Sequence, residues 1–423
     1  MIASLEINRQ ESSNEPHRRI KSCFLLALGL FVLLNALLSF YAPIQFDAFK
    51  FPYKGWDWWT INDLRRRAEV HNVALLGSSL MVSAVAGCDA NFLNKNLDLA
   101  NYHKCSYLDH RLRTTFGGSF DTFNLSAPGQ MPSDAYLSLR AMVNCANRPD
   151  VVIYGIAPRD LIDSTLSSPA DTEPFKYLRR LVNIDDVASI LFRSPFAKLD
   201  WLLTKVVYLY GSAMDFQLAF RDLSDQLLAF AVPQPYNNPS FTWWDRVRLL
   251  PGYMPGEIHP EAVIAGPIDE KTAASHYVDN TGEYLQRYRS PDPHTYKVQT
   301  CFLKEIARFC RKERIELVLV NMPITLYNVG MLRPGIYMKY VQAMKELAFY
   351  TNTNFYDLSD FNHYKQSDFH DSVHLNAFGG LKFMDSVVAA LAGDRRSAMI
   401  MAMAGKELEE HKAIAAARPA RPF

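Results

Sequence analysis

Five short apolar runs set the frame for this chain: "VALL" at 73–76, "TFNL" at 122–125, "VVIYG" at 151–155, "ELVLV" at 316–320 and "NFYDL" at 354–358. Each is short for a buried helix and is rich in apolar residues. They therefore read as strands covered on both sides. Helix-period segments lie between them. "SDAYLSLRAMVNCA" precedes the third run, and "TYKVQTCFLKEIARFCRKERI", with Leu303, Ile306 and Phe309 at helical spacing, precedes the fourth. "YMKYVQAMKELAFYT" precedes the fifth. Such alternation predicts an α/β architecture with about five mainly parallel strands and helices on both faces. The 423 residues, 49% hydrophobic and 21% charged, supply ample core. In sheets of this kind ligands meet the carboxyl ends of the strands, so the residues following each run are where chemistry is sought.

A second feature constrains where the domain works. "CFLLALGLFVLLNALLSFY", residues 23–41, has 19 residues without a charge, enough to span ~28 Å as a helix, close to a bilayer core. The run is long for the apolar part of a cleaved signal, and no Ala-x-Ala site follows it. An uncleaved single-pass anchor in the lipid bilayer is expected. "HRRIK" at 17–21 places residues 1–22 in the cytoplasm by the positive-inside rule, leaving nearly everything after residue 42 extracytoplasmic. Trp56, Trp58 and Trp59 of "KGWDWW" fit either a headgroup belt or ordinary domain packing.

The expected organisation is then a juxtamembrane linker at 42–69, a catalytic-type domain at 70–395 and a tail at 396–423. Residues 161–290 interrupt the alternation with helical segments such as "LDWLLTKVVYLYGSAMDFQLAF", and read as a helical insertion or lid that packs by its apolar stripes or rests on the membrane surface. Its aromatics, Tyr208, Tyr210, Trp243, Trp244 and Tyr253, could stack on sugar rings or fill a core. The tail is expected to be a frayed helix.

The strand ends carry a consistent set of residues. Gly77-Ser78-Ser79 follows the first run and opens a helix, where backbone N–H groups and the helix dipole favour a developing oxyanion. Gly129 lies in "NLSAPGQ" after the second run, Arg159 and Asp160 in "YGIAPRD" after the third, and Asn321 closes the fourth. After the fifth comes "SDFHDSVHLNAFGG", in which Asp371 and His374 are three residues apart. That spacing lets Asp371 hold His374 in one tautomer while the other ring nitrogen faces a serine, which is a poor nucleophile unless a base takes its proton. Each piece alone has a bland explanation, a capped turn or a satisfied histidine. Their common sheet edge and order make the combination informative.

This set resembles the SGNH, or GDSL-type, hydrolase superfamily. The first block, Gly-Asp-Ser, is matched by Gly77-Ser78-Ser79, with Ser78 in place of Asp. The second, Asn-x-Gly-x-x-Gly, is matched across Asn124 to Gly129, and the last, Asp-x-x-His, by Asp371 to His374. The resemblance covers about residues 70–160 and 300–392. It implies a three-layer flavodoxin-like domain, Ser79 as nucleophile, His374 as base and Asp371 as orienting acid, with the N–H groups of Ser79 and Gly129 in the oxyanion hole. The third block departs: Gly155 to Asp160 lacks the family's asparagine, leaving Arg159 or Asn321 to complete the hole. Ser78, Arg159, Asp160 and Asn321 are the expected substrate contacts. Membrane-anchored relatives that modify surface polymers are similar in having an anchor and a divergent domain. The implied activity is that of an esterase or O-acyltransferase, acetyl being the common group, on an exported or cell-surface polysaccharide. An acyl-donor membrane protein is the further partner such a role leaves open.

Two other readings are weighed against this one. The missing asparagine would suit an inactive scaffold that binds polymer or partner proteins in an envelope complex. Asp368, His370, Asp371 and His374 offer four donors to a metal, but no matching cluster occurs elsewhere, and no metal or other cofactor is expected. A net charge of +1 and the lack of any nucleic-acid motif argue against a nucleic-acid partner. Six scattered cysteines contain no CxxC pair; Cys88 and Cys105 could pair only in an oxidising compartment.

Overall fold

All five apolar runs become strands of one sheet. The computed structural model describes residues 16–41, 47–50, 55–220 apart from 68, 146, 167 and 193, and then 223 and 264–417. The strands are β1 (Val73–Gly77), β2 (Leu97–Asp98), β3 (Thr122–Asn124), β4 (Val151–Ile156), β5 (Ile264–Ala265), β6 (Glu316–Asn321) and β7 (Asn354–Asp357). The main sheet has the order β3-β1-β4-β6-β7 and every neighbouring pair is parallel. β2 and β5 form a separate two-residue antiparallel pair. Every residue of β1 and β4 is buried, which explains why these runs show no alternation.

Two groups of helices cover the sheet. Ser79–Leu93, Ser106–Phe116 and Ala377–Gly393 pack together in one group, and Pro132–Asn144 and Pro293–Glu313 in the other. The last of these starts on Pro293, with Asp292 accepting hydrogen bonds from the His294 and Thr295 N–H groups, and turns Val298, Phe302, Leu303, Ile306 and Cys310 inward. The chain lays β3 on one side of β1 and β4 on the other. Such a reversal of strand order opens a crevice at the carboxyl end of β1.

The chain divides into two compact units, one made of Met1–Asp47 with Phe192–Pro251, the other of Ala48–Leu191 with Gly252–Phe423. This redraws three expected boundaries. Much of the 42–69 linker belongs to the α/β unit, because the Trp56–Arg66 helix buries Trp58, Ile61 and Leu64. For Trp58 this is domain packing, not a headgroup seat. The insertion is split: Phe175, Leu178 and Val182 are core residues of the α/β unit, as are Tyr284 and Tyr288. The tail is not frayed through its length. It forms the Arg395–Ala417 helix, with Met401, Ala404 and Leu408 buried, and the Asn72 amide donates to the Ala404 carbonyl at 3.0 Å. Trp243, Trp244 and Tyr253 lie outside the described residues. All six cysteines, Cys88 and Cys105 included, are free thiols.

In the smaller unit the apolar segment is helical over Pro16–Tyr41. Its Cys23–Tyr41 stretch is long and apolar enough to cross a membrane.

Candidate active site

Ser79 is the first residue of the Ser79–Leu93 helix, directly beyond β1. The first N–H groups of a helix have no carbonyl four residues back, so the Ser79 N–H is presented at the strand end together with its hydroxyl. The tight passage from β1 depends on Gly77: a Cβ there would come within 2.8 Å of Met81 Cβ and 2.9 Å of the Gly155 carbonyl. Ser79 itself is half-buried.

His374 reaches Ser79 from the other end of the chain. Its Nε2 is 2.8 Å from Ser79 Oγ and its Nδ1 is 2.6 Å from Asp371 Oδ2. The other Asp371 oxygen accepts the N–H groups of Val373 and His374 at 2.9 and 2.8 Å. Burial alone would raise the proton affinity of Asp371, but these bonds and the imidazole outweigh it and hold the carboxyl below its ordinary range. With Asp371 ionised, His374 carries its proton on Nδ1 and can accept the Ser79 proton on Nε2. The histidine side chain keeps 24% of its surface exposed, so a ligand can approach.

The meeting of these residues is built by their neighbours. Ser79 opens the Ser79–Leu93 helix and His374 lies just ahead of Ala377–Gly393, and the two helices cross closely. A Cβ on Gly380 would sit 2.4 Å from the Ala84 carbonyl, and one on Gly87 3.1 Å from Ala377. Ser83 Oγ donates to the Leu375 carbonyl at 2.6 Å. The His374 loop is pinned further by Thr325, whose N–H and hydroxyl both donate to the Ser372 carbonyl, and by Asn328, which donates to Ser372 Oγ at 3.0 Å.

Gly129 lies at φ +76° with the Arg159 Nη2 atom 3.7 Å from where its Cβ would be. The glycine thus permits both the turn and the close approach of a cation. Gln130, not singled out in the sequence, holds this loop against β1: its amide accepts from the Gly77 N–H at 3.1 Å and donates to the Leu125 carbonyl at 3.0 Å. Its position at the end of "NLSAPGQ" was the only available signal. Arg159 is 6% exposed and is fixed by Asp163 at 3.0 Å and, more loosely, Asp160 at 3.4 Å. Arg287 pairs with the same Asp163.

Three expected contacts are not brought to the site. The Asn321 amide donates to Tyr337 and Asp357 at 3.0 and 2.7 Å and accepts from Tyr340 at 3.0 Å. Fully buried and fully partnered, it can serve neither as oxyanion donor nor as substrate contact. Asp160 is 1% exposed and accepts the Ala157 N–H at 2.9 Å; burial raises its proton affinity, with Arg159 and this N–H opposing. Ser78 is equally buried and belongs with Asp160 behind the site. The four-donor metal reading also fails to assemble. Asp368 is paired to Lys382 through both oxygens at 2.7 and 2.8 Å, and Asp371 is committed to His374.

No protein-family model matches the chain, and no curated protein matches it. A crystal structure from Bacteroides fragilis, of a protein described as a candidate acylhydrolase, aligns over 78% of this chain and 92% of its own length, with 8% identity and a TM-score of 0.30. That likeness is too remote to assign chemistry.

Proposed function

We propose that this chain is an SGNH-type serine acyl esterase or O-acyltransferase, held in a membrane by residues 23–41 and acting outside the cytoplasm on a polysaccharide. The observation that carries the reading is the chain of hydrogen bonds from Asp371 through His374 to Ser79, at 2.6 and 2.8 Å, at the switch point of a parallel sheet. Ser79 Oγ attacks the acyl carbon as its proton passes to His374 Nε2. The oxyanion is met by the N–H groups of Ser79 and Gly129. Arg159, whose Nη2 faces Gly129, is the donor this reading assigns to the part of the absent asparagine. His374 then returns the proton to the departing alcohol, leaving the acyl group on Ser79. Water or a sugar hydroxyl gives its proton to His374 and takes the acyl group, and as the bond to Ser79 Oγ breaks His374 returns that proton to the serine.

The test is fluorophosphonate labelling of the full chain in detergent, followed by acetyl transfer from p-nitrophenyl acetate to water or to an added oligosaccharide. Labelling that disappears in Ser79→Ala and in His374→Ala is the expected result. A folded wild type that takes up no label would instead favour the inactive polymer-binding scaffold.

A further inference from the structure

The smaller unit contains an apolar surface that the proposed chemistry does not use. The Pro195–Val206 helix buries none of its residues. Phe196, Leu199, Leu202 and Val206 are 84, 51, 49 and 68% exposed. At 100° per residue these four fall within one third of the helix circumference, with Lys198 and Lys205 together along one border of that stripe. Ser194 caps the helix by accepting the Ala197 N–H at 3.0 Å, so the exposed face belongs to a properly started helix. Trp201, off the stripe, stacks on Phe192 with ring centres 6.2 Å apart.

The next turn ties this helix to the apolar span. Asn35 is one of the two clearly polar residues in the 23–41 run, and its Oδ1 accepts the Leu209 N–H at 3.0 Å. That N–H belongs to the first turn of Tyr208–Gly211, where a donor has no intrahelical partner. Asn35, Leu38 and Ser39 are partly covered, whereas the neighbouring apolar residues of the span are exposed. A polar group in a membrane helix is costly unless it finds a partner, and here the partner is the insertion. Asn35 lies six residues before Tyr41, or ~9 Å along the helix axis. An amphipathic helix in the membrane interface buries its apolar face by about 5–10 Å. The Leu209 contact falls within that depth of the end of such a span.

We infer that the Pro195–Val206 helix and the Tyr208–Gly211 turn form an interfacial foot whose partner is the lipid bilayer: the stripe Phe196–Leu199–Leu202–Val206 lies among outer-leaflet acyl chains beside the anchor, and Lys198 and Lys205 face anionic headgroups. The inference rests on the reading of residues 23–41 as a membrane span.

The test uses the full chain reconstituted into vesicles of phosphatidylcholine and phosphatidylglycerol. The background carries Cys23→Ser, Cys145→Ser and Cys301→Ser, the remaining thiols being buried. An environment-sensitive fluorophore is placed singly at Leu199→Cys, Leu202→Cys, Leu30→Cys or Met338→Cys, and quenched by lipids brominated on their acyl chains. Met338 is an exposed residue of the α/β unit. Quenching at 199 and 202 at least twofold above that at 338, approaching that at 30, is expected. Quenching at 30 with 199 and 202 no different from 338 would overturn the foot and leave the anchor standing. No quenching at 30 would overturn the anchor and the foot together.

Discussion

The two ends of β1 carry the same pair of side chains in different settings. Before the strand, His71 Nδ1 is 2.8 Å from Asp121 Oδ1; beyond it, His374 Nδ1 is 2.6 Å from Asp371 Oδ2. The His71 side chain is wholly buried and its Nε2 has no hydrogen-bond partner among the described residues, while His374 Nε2 meets a serine hydroxyl and its side chain remains partly exposed. Around His71 the third member is a cation, with Lys104 at 3.1 Å from Glu69 and 3.6 Å from Asp121. Glu69, His71 and Asp121 are near enough together to hold a metal, but the lysine ammonium already supplies positive charge there. A histidine–carboxylate pair is thus enclosed beside a lysine at one edge and set against an accessible serine hydroxyl, the arrangement of the proposed proton relay, at the other. Access, a hydroxyl and nearby donors make the difference.

Replacing the two carboxylates in parallel tests this contrast most severely. Asp371→Asn should lower kcat/KM for ester cleavage by about 10³- to 10⁴-fold, because the amide leaves His374 in the wrong tautomer. Asp121→Asn should leave the rate per folded molecule within twofold and instead lower the denaturation midpoint. Equal losses of activity from both would erase the distinction.

Arg159→Lys probes the donor that faces Gly129. It keeps a charge beside Asp163 but loses the planar fork, and kcat is expected to fall about 10²-fold, the scale for one oxyanion donor. KM should change little, and fluorophosphonate labelling should persist at a reduced rate. An unchanged kcat would leave Arg159 as a structural ion-pair partner only.

The smallest effect concerns the buried edge alone. Asp109 accepts the Thr122 N–H and hydroxyl, yet burial first, with Asp121 adding to it against those bonds, pushes its carboxyl up to about 7. The folded protein then holds a proton that the unfolded chain, with an ordinary aspartate near ~3.9, has already released. This contribution to stability is full below pH ~4 and is lost as pH rises to about 7. Melting temperature should decline across that window, and Asp109→Asn should flatten the decline. A slope unchanged in Asp109→Asn would assign the decline to other groups.

Much of this was legible in the chain itself. Each of the five strands begins where its apolar run begins and ends within one residue of it; β1, β3 and β4 are buried on both faces as expected, whereas β7, at the sheet edge, is not buried at any residue. Ser79 stood out because it directly follows the first strand, and Asp371 and His374 because they lie three residues apart beyond the last. The Trp56–Arg66 helix and the tail were misread since their buried faces are narrow stripes among charges. Such stripes gain meaning only from the surface they cover.

By itself, then, the sequence determined the layered α/β class, the apolar span and the short list of chemical groups at the strand ends, all of which are encoded in neighbouring residues. Tertiary packing decided which of those groups meet. Ser79 and His374 are 295 residues apart, and their contact depends on two helices approaching through Gly380 and Gly87. The same packing locked Asn321 among Tyr337, Tyr340 and Asp357 and turned Arg159 toward Gly129. A buried amide or guanidinium takes the partners that the fold brings to it, and no local pattern records which those will be.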